Sequence, residues 1–399
     1  MIGRVHFGAL DAEARWREGP APLPAVPDSA AERIVAVMEE MLFALCAPGD
    51  ALLTARPLLA AHRQHLEDAG WRFQAFSADD ELHPLRGARA EPYAVTAEVL
   101  ETCRRLELEA AHLPPVEVAR EVGSKLFSNA LAASLGLPGV AKVTRDAAGL
   151  ASEAGALLGH GGCVVKDPLG VSGRGSMVIR EEPELRRLVA WLQRRAEPFE
   201  LLVQPLFRRA EDFSCHLDTD GEVVGLQVME NDGLRFGAVR SAPLALRESL
   251  ERANYFEVMA QVSGALRQRG YRGPACVDSM RLADGSLVPL LEINARRSMG
   301  LINLAIAARA GMPSRLSTRP VRLEREVGVE QVLEALDRAG VLARRGRGGL
   351  LLLSGRALAG GGTRGRLCVA ALGEAAVPEG AVAGALAPLG IASGRAADA

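Results

Sequence analysis

One apolar strand ends in acid, amide and guanidinium side chains: Leu290-Leu-Glu-Ile-Asn-Ala-Arg-Arg-Ser-Met-Gly300. Because the side chains of a β-strand alternate between its two faces, Glu292 and Asn294 share one face. The preceding strand, 275–282, carries Asp278, and a tight turn between the two strands brings its carboxylate beside them. Two carboxylates and an amide oxygen are ligands that suit Mg²⁺. The sequence therefore predicts a magnesium site formed by Asp278, Glu292 and Asn294.

The charged groups around this site allow two interpretations. Glu292 could instead form a salt bridge with Arg296 or Arg297, which needs no metal. If the metal is present, the same two arginines follow its ligands closely and could clamp a transferring phosphoryl group. We therefore predict catalytic roles for Arg296 and Arg297.

A glycine-rich segment follows another strand, in Lys166-Asp-Pro-Leu-Gly-Val-Ser-Gly-Arg-Gly-Ser176. Glycines such as Gly173 let backbone N–H groups converge on phosphate oxygens, Ser172 or Ser176 adds a hydroxyl donor, and Lys166 adds charge. The lysine precedes the glycines, so this is not a Walker loop. We predict a phosphate-binding hairpin whose tip, 167–175, is open and mobile without nucleotide and closes when it binds. An ordinary flexible hairpin is the alternative.

Lysine is rare in this chain: of 47 cationic residues, only Lys125, Lys142 and Lys166 are lysine. A compact ammonium group and a planar guanidinium are not interchangeable in a narrow phosphate pocket. The lysines are therefore candidates for a functional role.

At this point the chain resembles the ATP-grasp superfamily of carboxylate–amine ligases, over about residues 115 to 315. The resemblance implies that Lys125 and Lys166 hold the nucleotide phosphates and that Arg296 holds the acyl phosphate. It also implies an adenine-contacting hinge at Gln204, Pro205 and Leu206, and an acid that holds the ribose, for which Asp212 is preferred by strand alternation and Glu211 is the second choice. ATP and Mg²⁺ are the implied cofactors.

Two positions depart from the pattern of the family. Gln204 stands where many members have Glu, and Cys276 stands where some members have an arginine that stabilises the tetrahedral intermediate. Within the superfamily, the chain is most similar to natural-product peptide ligases of the pheganomycin type. Such ligases have an N-terminal pre-ATP-grasp domain and a small C-terminal domain.

The expected fold is α/β. We predict an N-terminal parallel α/β layer in 1–115, whose first 28 residues are irregular, followed by an ATP-grasp domain in 116–318. That domain is expected to have two α+β subdomains that clasp ATP, a lid in 116–200 and a catalytic subdomain in 201–318. A separate small α+β module is expected in 319–399.

Composition excludes several classes of protein. The chain has 399 residues and a formal net charge of −2, so no basic field favours nucleic acid or an anionic membrane. No apolar run is long enough to span a bilayer, which predicts a cytoplasmic protein. The six cysteines are widely spaced without a C-x-x-C motif, so we expect buried free thiols.

Together these features predict an ATP-dependent ligase of natural-product biosynthesis that forms an amide or peptide bond through an acyl phosphate and releases ADP and phosphate. The expected partners are an amino-acid-like carboxylate and an amine or peptide acceptor, with a carrier protein or a second copy of the chain as further candidates. Acylation of a carrier-protein thiol and ATP binding without catalysis are the two alternative functions.

Overall fold

The computed structural model describes residues 2–8, 10–24, 28–171, 174–195, 197–358, 363–373 and 377–393. Within these ranges, no helix combines the length and the apolar character that crossing a membrane requires. All six cysteines are buried and free, as expected from their spacing.

The N-terminal domain contains a four-stranded parallel sheet in the order β3-β2-β1-β4, which confirms the predicted parallel α/β layer. Two 3₁₀ segments, Met38–Leu45 and His83–Leu85, accompany it. Its strands and helices are β1 (Arg4–Phe7), α1 (Ala12–Trp16), α2 (Ser29–Val37), β2 (Ala51–Thr54), α3 (Ala60–Asp68), β3 (Gln74–Ser77), β4 (Arg89–Pro92) and α4 (Ala97–Arg105).

The prediction that the first 28 residues are irregular was wrong. β1 lies inside the N-terminal sheet, between β2 and β4, and α1 follows it. Arg4–Phe7 is only four residues long, too short for strand periodicity to stand out. The burial of Val5 and Phe7 against the rest of the domain stabilises the strand.

The second sheet lies in the region predicted to form the lid subdomain and has the order β5-β8-β6-β7. Because β8 hydrogen-bonds to β5 and β6, this sheet extends to Pro205, beyond the boundary expected at residue 200. The elements of this region are α5 (Val116–Val122), α6 (Lys125–Ser134), β5 (Lys142–Thr144), α7 (Ala147–Leu158), β6 (Cys163–Val171), β7 (Arg174–Ile179), α8 (Glu182–Gln193) and β8 (Leu201–Pro205).

A large antiparallel sheet carries the predicted metal ligands, and its main path is β13-β12-β9-β10-β11-β14-β16-β15, with β17 paired to β14. Its catalytic part comprises β9 (Arg209–Leu217), β10 (Val223–Asp232), β11 (Arg235–Ser241), α9 (Leu244–Arg252), α10 (Tyr255–Gln268), β12 (Ala275–Leu282), β13 (Leu287–Asn294) and α11 (Met299–Ala310).

The C-terminal residues were expected to form a separate module, but their strands continue this same sheet. β14 hydrogen-bonds to β11 on one side and to β16 on the other, so the boundary expected at residue 318 falls inside a strand. A distinct apolar cluster nevertheless packs α12 against this end of the sheet. The elements are β14 (Ser314–Leu323), α12 (Val329–Arg338), β15 (Gly349–Leu352), β16 (Arg364–Leu372), α13 (Glu379–Leu386) and β17 (Ile391–Ser393).

Buried histidines should make this fold sensitive to acid. Burial lowers the pKa of both His65 and His216 to about 3, and it lowers the pKa of His6 to about 4. The histidines of the unfolded chain bind protons near pH 6.5, whereas those of the folded chain do not. The free energy of unfolding therefore keeps its full value above that pH and decreases as the pH falls below it. We expect each of His65 and His216 to lower the free energy of unfolding by roughly 2 kcal/mol at pH 5 relative to pH 7.5.

Urea unfolding at the two pH values measures this effect. His65→Gln keeps a hydrogen-bond acceptor but does not titrate. The difference in the free energy of unfolding between the two pH values should therefore decrease by the part that His65 contributes. An unchanged pH dependence in that variant would contradict the assignment of His65.

Candidate active site

The predicted metal ligands come together on the β12–β13 hairpin. Asp278 and Glu292 are directly opposite in the antiparallel register, and Asn294 is opposite Cys276. Asn294 Nδ2 donates to Asp278 Oδ2 over 3.1 Å, and the Cys276 thiol donates to Asp278 Oδ1 over 3.4 Å. The spacing argument thus placed all three ligands on one face of the sheet.

The chemistry of this cluster fits a divalent cation. Burial, together with the Glu292 carboxylate, raises the pKa of Asp278 to about 7. A cation between the two carboxylates would relieve both effects. Within the described ranges, no group of three or more His, Cys, Asp and Glu side chains is placed to hold a metal, so a site here relies on Asn294 as its third ligand.

Glu292 forms its salt bridge with Lys125, not with the arginines named as the alternative. Lys125 Nζ lies 2.8 Å from Glu292 Oε1 and also donates to the Gly170 carbonyl of the β6–β7 hairpin. Ser124 caps the helix that begins at Lys125, by accepting from the Leu126 amide. A lysine predicted to hold phosphate therefore contacts a predicted metal ligand.

A small pocket lies between the predicted lid and catalytic subdomains. Its walls combine the two predicted phosphate lysines with a predicted hinge residue and apolar side chains, namely Lys125, Lys166, Gln204, Leu202, Leu290 and Leu291. Ammonium and amide groups beside leucines are the kinds of group that contact the charged phosphates and the flat base of a nucleotide. Pro205 and Leu206 follow directly and are half-buried.

Lys166 and Gln204 hydrogen-bond to each other inside this pocket. Lys166 Nζ donates to Gln204 Oε1 over 2.6 Å, and Gln204 Nε2 donates to the Gly139 carbonyl. Burial lowers the pKa of Lys166 to about 8, against the opposing effect of Glu292. The same oxygen of Gln204 that could accept from an adenine amino group is therefore occupied by the lysine.

The glycine-rich hairpin differs from the open loop that the sequence predicted. Its strands extend to Val171 and Arg174, which pair across the tip, and the register is irregular after Lys166. Asp167 is 1% exposed and its Oδ2 lies 2.5 Å from Arg17 Nη2 of the N-terminal domain. The base of the hairpin is thus docked rather than open. Ser172 and Gly173, predicted to contact phosphate, lie outside the described residues.

The two candidate ribose acids lie on opposite faces of β9. Asp212 precedes Ser214 by two residues, and Ser214 pairs with Asp278, so Asp212 shares the face of the metal ligands. Its Oδ2 accepts from Arg209 Nη1 and from Asn231 Nδ2, each over 2.9 Å. Glu211 lies on the other face, which favours Asp212 for the ribose.

Arg296 lies next to the predicted metal ligands. Its Nη2 donates to Asn294 Oδ1 over 3.0 Å, and its Nε donates to Glu13 Oε1 over 2.6 Å. The guanidinium is 8% exposed and also donates to the hydroxyl of Tyr93. Arg296 is therefore in direct contact with a predicted metal ligand, as its predicted role requires.

The structure does not bring Arg297 to the metal ligands. Its guanidinium forms a salt bridge with Glu91 and donates to the Pro92 carbonyl, both in the N-terminal domain. Strand alternation, continued past Asn294, already separates the two arginines onto opposite sides. In this structure Arg297 joins two domains and contacts none of the predicted metal ligands, and its catalytic role stays a prediction.

Sequence reasoning missed Glu13 and Arg17, which connect the N-terminal domain to this site. Both lie in or beside α1, within the segment expected to be irregular. Their partners, Arg296 and Asp167, are 283 and 150 residues away along the chain. The sequence signals these pairs only by their opposite charges, and the partners are too far apart along the chain for any spacing rule to relate them.

Comparisons with known proteins concern the chain as a whole. No protein-family model matches the chain. Over 284 residues, 68% of this chain and 67% of the other, it is 28% identical to the [Butirosin acyl-carrier protein]–L-glutamate ligase of Niallia circulans.

Solved structures share the fold at low sequence identity. An ADP complex of N5-carboxyaminoimidazole ribonucleotide synthetase matches with a TM-score of 0.53, 14% identity, and coverage of 89% of this chain and 93% of that one. The biotin carboxylase of Campylobacter jejuni matches with a TM-score of 0.52, 12% identity, and coverage of 85% of each chain. These likenesses support the fold.

The fold is that of the ATP-grasp enzymes. The similarity to a known ligase supports an ATP-dependent ligase that uses ATP and Mg²⁺. The alternative of an ATP-binding module without catalysis is thereby set aside.

Proposed function

We propose that this ligase phosphorylates the carboxylate of an amino-acid-like substrate with ATP and transfers the acyl group to an amine, in natural-product biosynthesis. The observation that carries the proposal is the row Asp278, Asn294 and Arg296, in which a guanidinium contacts one ligand of a predicted metal site. Such a group stabilises the negative charge that develops on a transferring phosphoryl group and on the acyl phosphate.

The other residues have distinct tasks in this reaction. Lys125 and Lys166 would neutralise the phosphates of the nucleotide, and Asp278, Glu292 and Asn294 would hold Mg²⁺, which supplies further charge neutralisation when bound. A carboxylate oxygen attacks the γ-phosphorus and ADP leaves. The amine then attacks the carbonyl carbon, phosphate leaves, and an amide bond remains.

A carrier protein is a second candidate partner, because the relative from Niallia circulans is named for an acyl-carrier protein and L-glutamate. In that version, the acceptor is a group presented on a carrier protein, either a thiol or an amine. L-Glutamate is the first carboxylate to test, since that name includes it.

The decisive experiment uses carboxylate labelled with ¹⁸O. We expect acid-dependent release of ADP, one ¹⁸O atom in the released phosphate, and a hydroxamate when hydroxylamine replaces the natural acceptor. Release of AMP and pyrophosphate, or a phosphate without label, would refute the proposed acyl phosphate. Neutral hydroxylamine cleaves a thioester but not an amide, so treating the final product with it identifies the acceptor.

A further inference from the structure

A buried carboxylate oxygen without a partner lies beside the reacting centre. Glu13 is 5% exposed, and its Oε1 accepts from Arg296 Nε over 2.6 Å. Its Oε2 is buried and has no hydrogen-bond partner among the described residues. A buried carboxylate oxygen that lacks a donor is costly, so its presence calls for an explanation.

A second acid–arginine pair of the same kind shows the contrast. Glu91 pairs with Arg297 at the same domain boundary, and both side chains of this pair are 11% exposed, slightly more than those of Glu13 and Arg296. There, however, Oε2 binds Arg297 and Oε1 accepts from Arg89 Nε over 3.1 Å. Orienting an arginine therefore does not require an unpaired oxygen. Oε2 of Glu13 can still accept a hydrogen bond.

The contacts of Arg296 place this oxygen close to the chemistry. On one side the guanidinium donates to Asn294 Oδ1, and on the other its Nε donates to Glu13. One guanidinium thus separates Glu13 from a predicted metal ligand. Arg17, which follows α1, is paired with Asp167 at 2.5 Å.

A pocket adjoins the same guanidinium. It lies between the N-terminal and catalytic domains, with Glu91, Tyr93, His112, Tyr271, Arg296 and Arg297 in its walls. Tyr93 and Arg296 line this pocket and also hydrogen-bond to each other.

We propose that Glu13 Oε2 binds the ammonium group of a substrate and holds it next to Arg296. The inference rests on the proposed function and adds a recognition element to it. A carboxylate prefers a charged N–H donor, and the bond is strongest where water is excluded. A thiol offers neither the charge nor a strong donor, so Glu13 favours an amine-bearing substrate. The ammonium group belongs either to the α-amino group of the carboxylate substrate or to the acceptor, which would then pass one proton to Glu13 before its neutral amine attacks the carbonyl carbon.

Glu13→Gln tests this proposal, because it keeps an oxygen for Arg296 and removes the negative charge. We expect KM for the amine-bearing substrate to rise by about 10- to 100-fold, the range typical of hydrogen bonds to charged groups. KM for a matched substrate without that amino group, and the affinity for Mg·ADP, should change little. Glu248→Gln, on the exposed side of α9, should leave the preference for the amino substrate unchanged.

Two arms of the assay separate the sources of the ammonium group. The hydroxamate assay, which needs no natural acceptor, compares the amino acid with its des-amino analogue and tests the carboxylate substrate. The complete reaction with a series of acceptor amines tests the acceptor. A raised KM in either arm supports the proposal and identifies the source.

A uniform loss of activity on amino and des-amino substrates alike would mean that Glu13 only orients Arg296, and would overturn the proposal. Should Glu13→Gln fail to fold, the wild-type enzyme still gives a test, because it should discriminate against des-amino substrates or uncharged acceptors by a similar factor. Absence of ADP release in wild type would refute the proposed function instead, so the two failures are distinguishable.

Discussion

Glu292→Gln is expected to lower the rate of acid-dependent ADP release by on the order of 10²–10³, the effect typical of removing one electrostatic group that acts in the transition state. The substitution keeps the size of the side chain but removes one of the two carboxylates of the predicted metal site, which are opposite each other on β12 and β13. It also frees Lys125, whose Nζ lies 2.8 Å from Glu292. The measurement is a coupled assay of ADP formation over a range of Mg²⁺ concentrations.

The response to Mg²⁺ separates a metal ligand from a residue that only holds Lys125. A lost ligand should raise the Mg²⁺ concentration needed for half-maximal rate, and high Mg²⁺ should restore part of the activity. Glu248→Gln, on the exposed side of α9, makes the same chemical change away from the site and should retain wild-type rates. Wild-type activity in Glu292→Gln would show that Glu292 is not a ligand of the predicted metal ion.

The parts of the site that could be predicted from the sequence are those with local geometry. Asp278, Glu292 and Asn294 lie on one hairpin, where the two-residue period of a strand and a tight turn determine which side chains meet. The same period, continued through 296, would have separated Arg296 from Arg297. Local patterns also predicted the parallel N-terminal layer, whose strands alternate with helices.

The parts that the sequence could not predict depend on contacts between distant segments. Lys125 and Glu292 are 167 residues apart, and no spacing rule relates them. The C-terminal strands continue the catalytic sheet because β14 pairs with β11, a register that only the folded chain defines. Cys276 donates to Asp278, so it contacts a predicted metal ligand without supplying positive charge.

The pH dependence of nucleotide binding should reveal Lys166. Its pKa of about 8 in this structure means that the ammonium form, which phosphate requires, predominates below pH 8. Binding of phosphate favours the protonated lysine and raises its pKa, so the Kd for Mg·ADP should be constant below pH 8 and rise by up to about tenfold per pH unit above it. Calorimetric titrations between pH 7 and 9.5 measure this slope.

Lys166→Met should weaken binding of Mg·ADP at pH 7 by about 10- to 100-fold, the range for a lost hydrogen bond to a charged group, and should abolish the rise in Kd above pH 8. Lys142→Met provides a matched control, because Lys142 is exposed on β5 and should leave both the affinity and the pH profile unchanged. Gln204→Glu places a carboxylate where Lys166 Nζ now donates over 2.6 Å, so the rise in Kd should shift to higher pH. If Lys166→Met binds Mg·ADP as tightly as wild type, Lys166 is not a phosphate ligand, and its bond to Gln204 has a purely structural role.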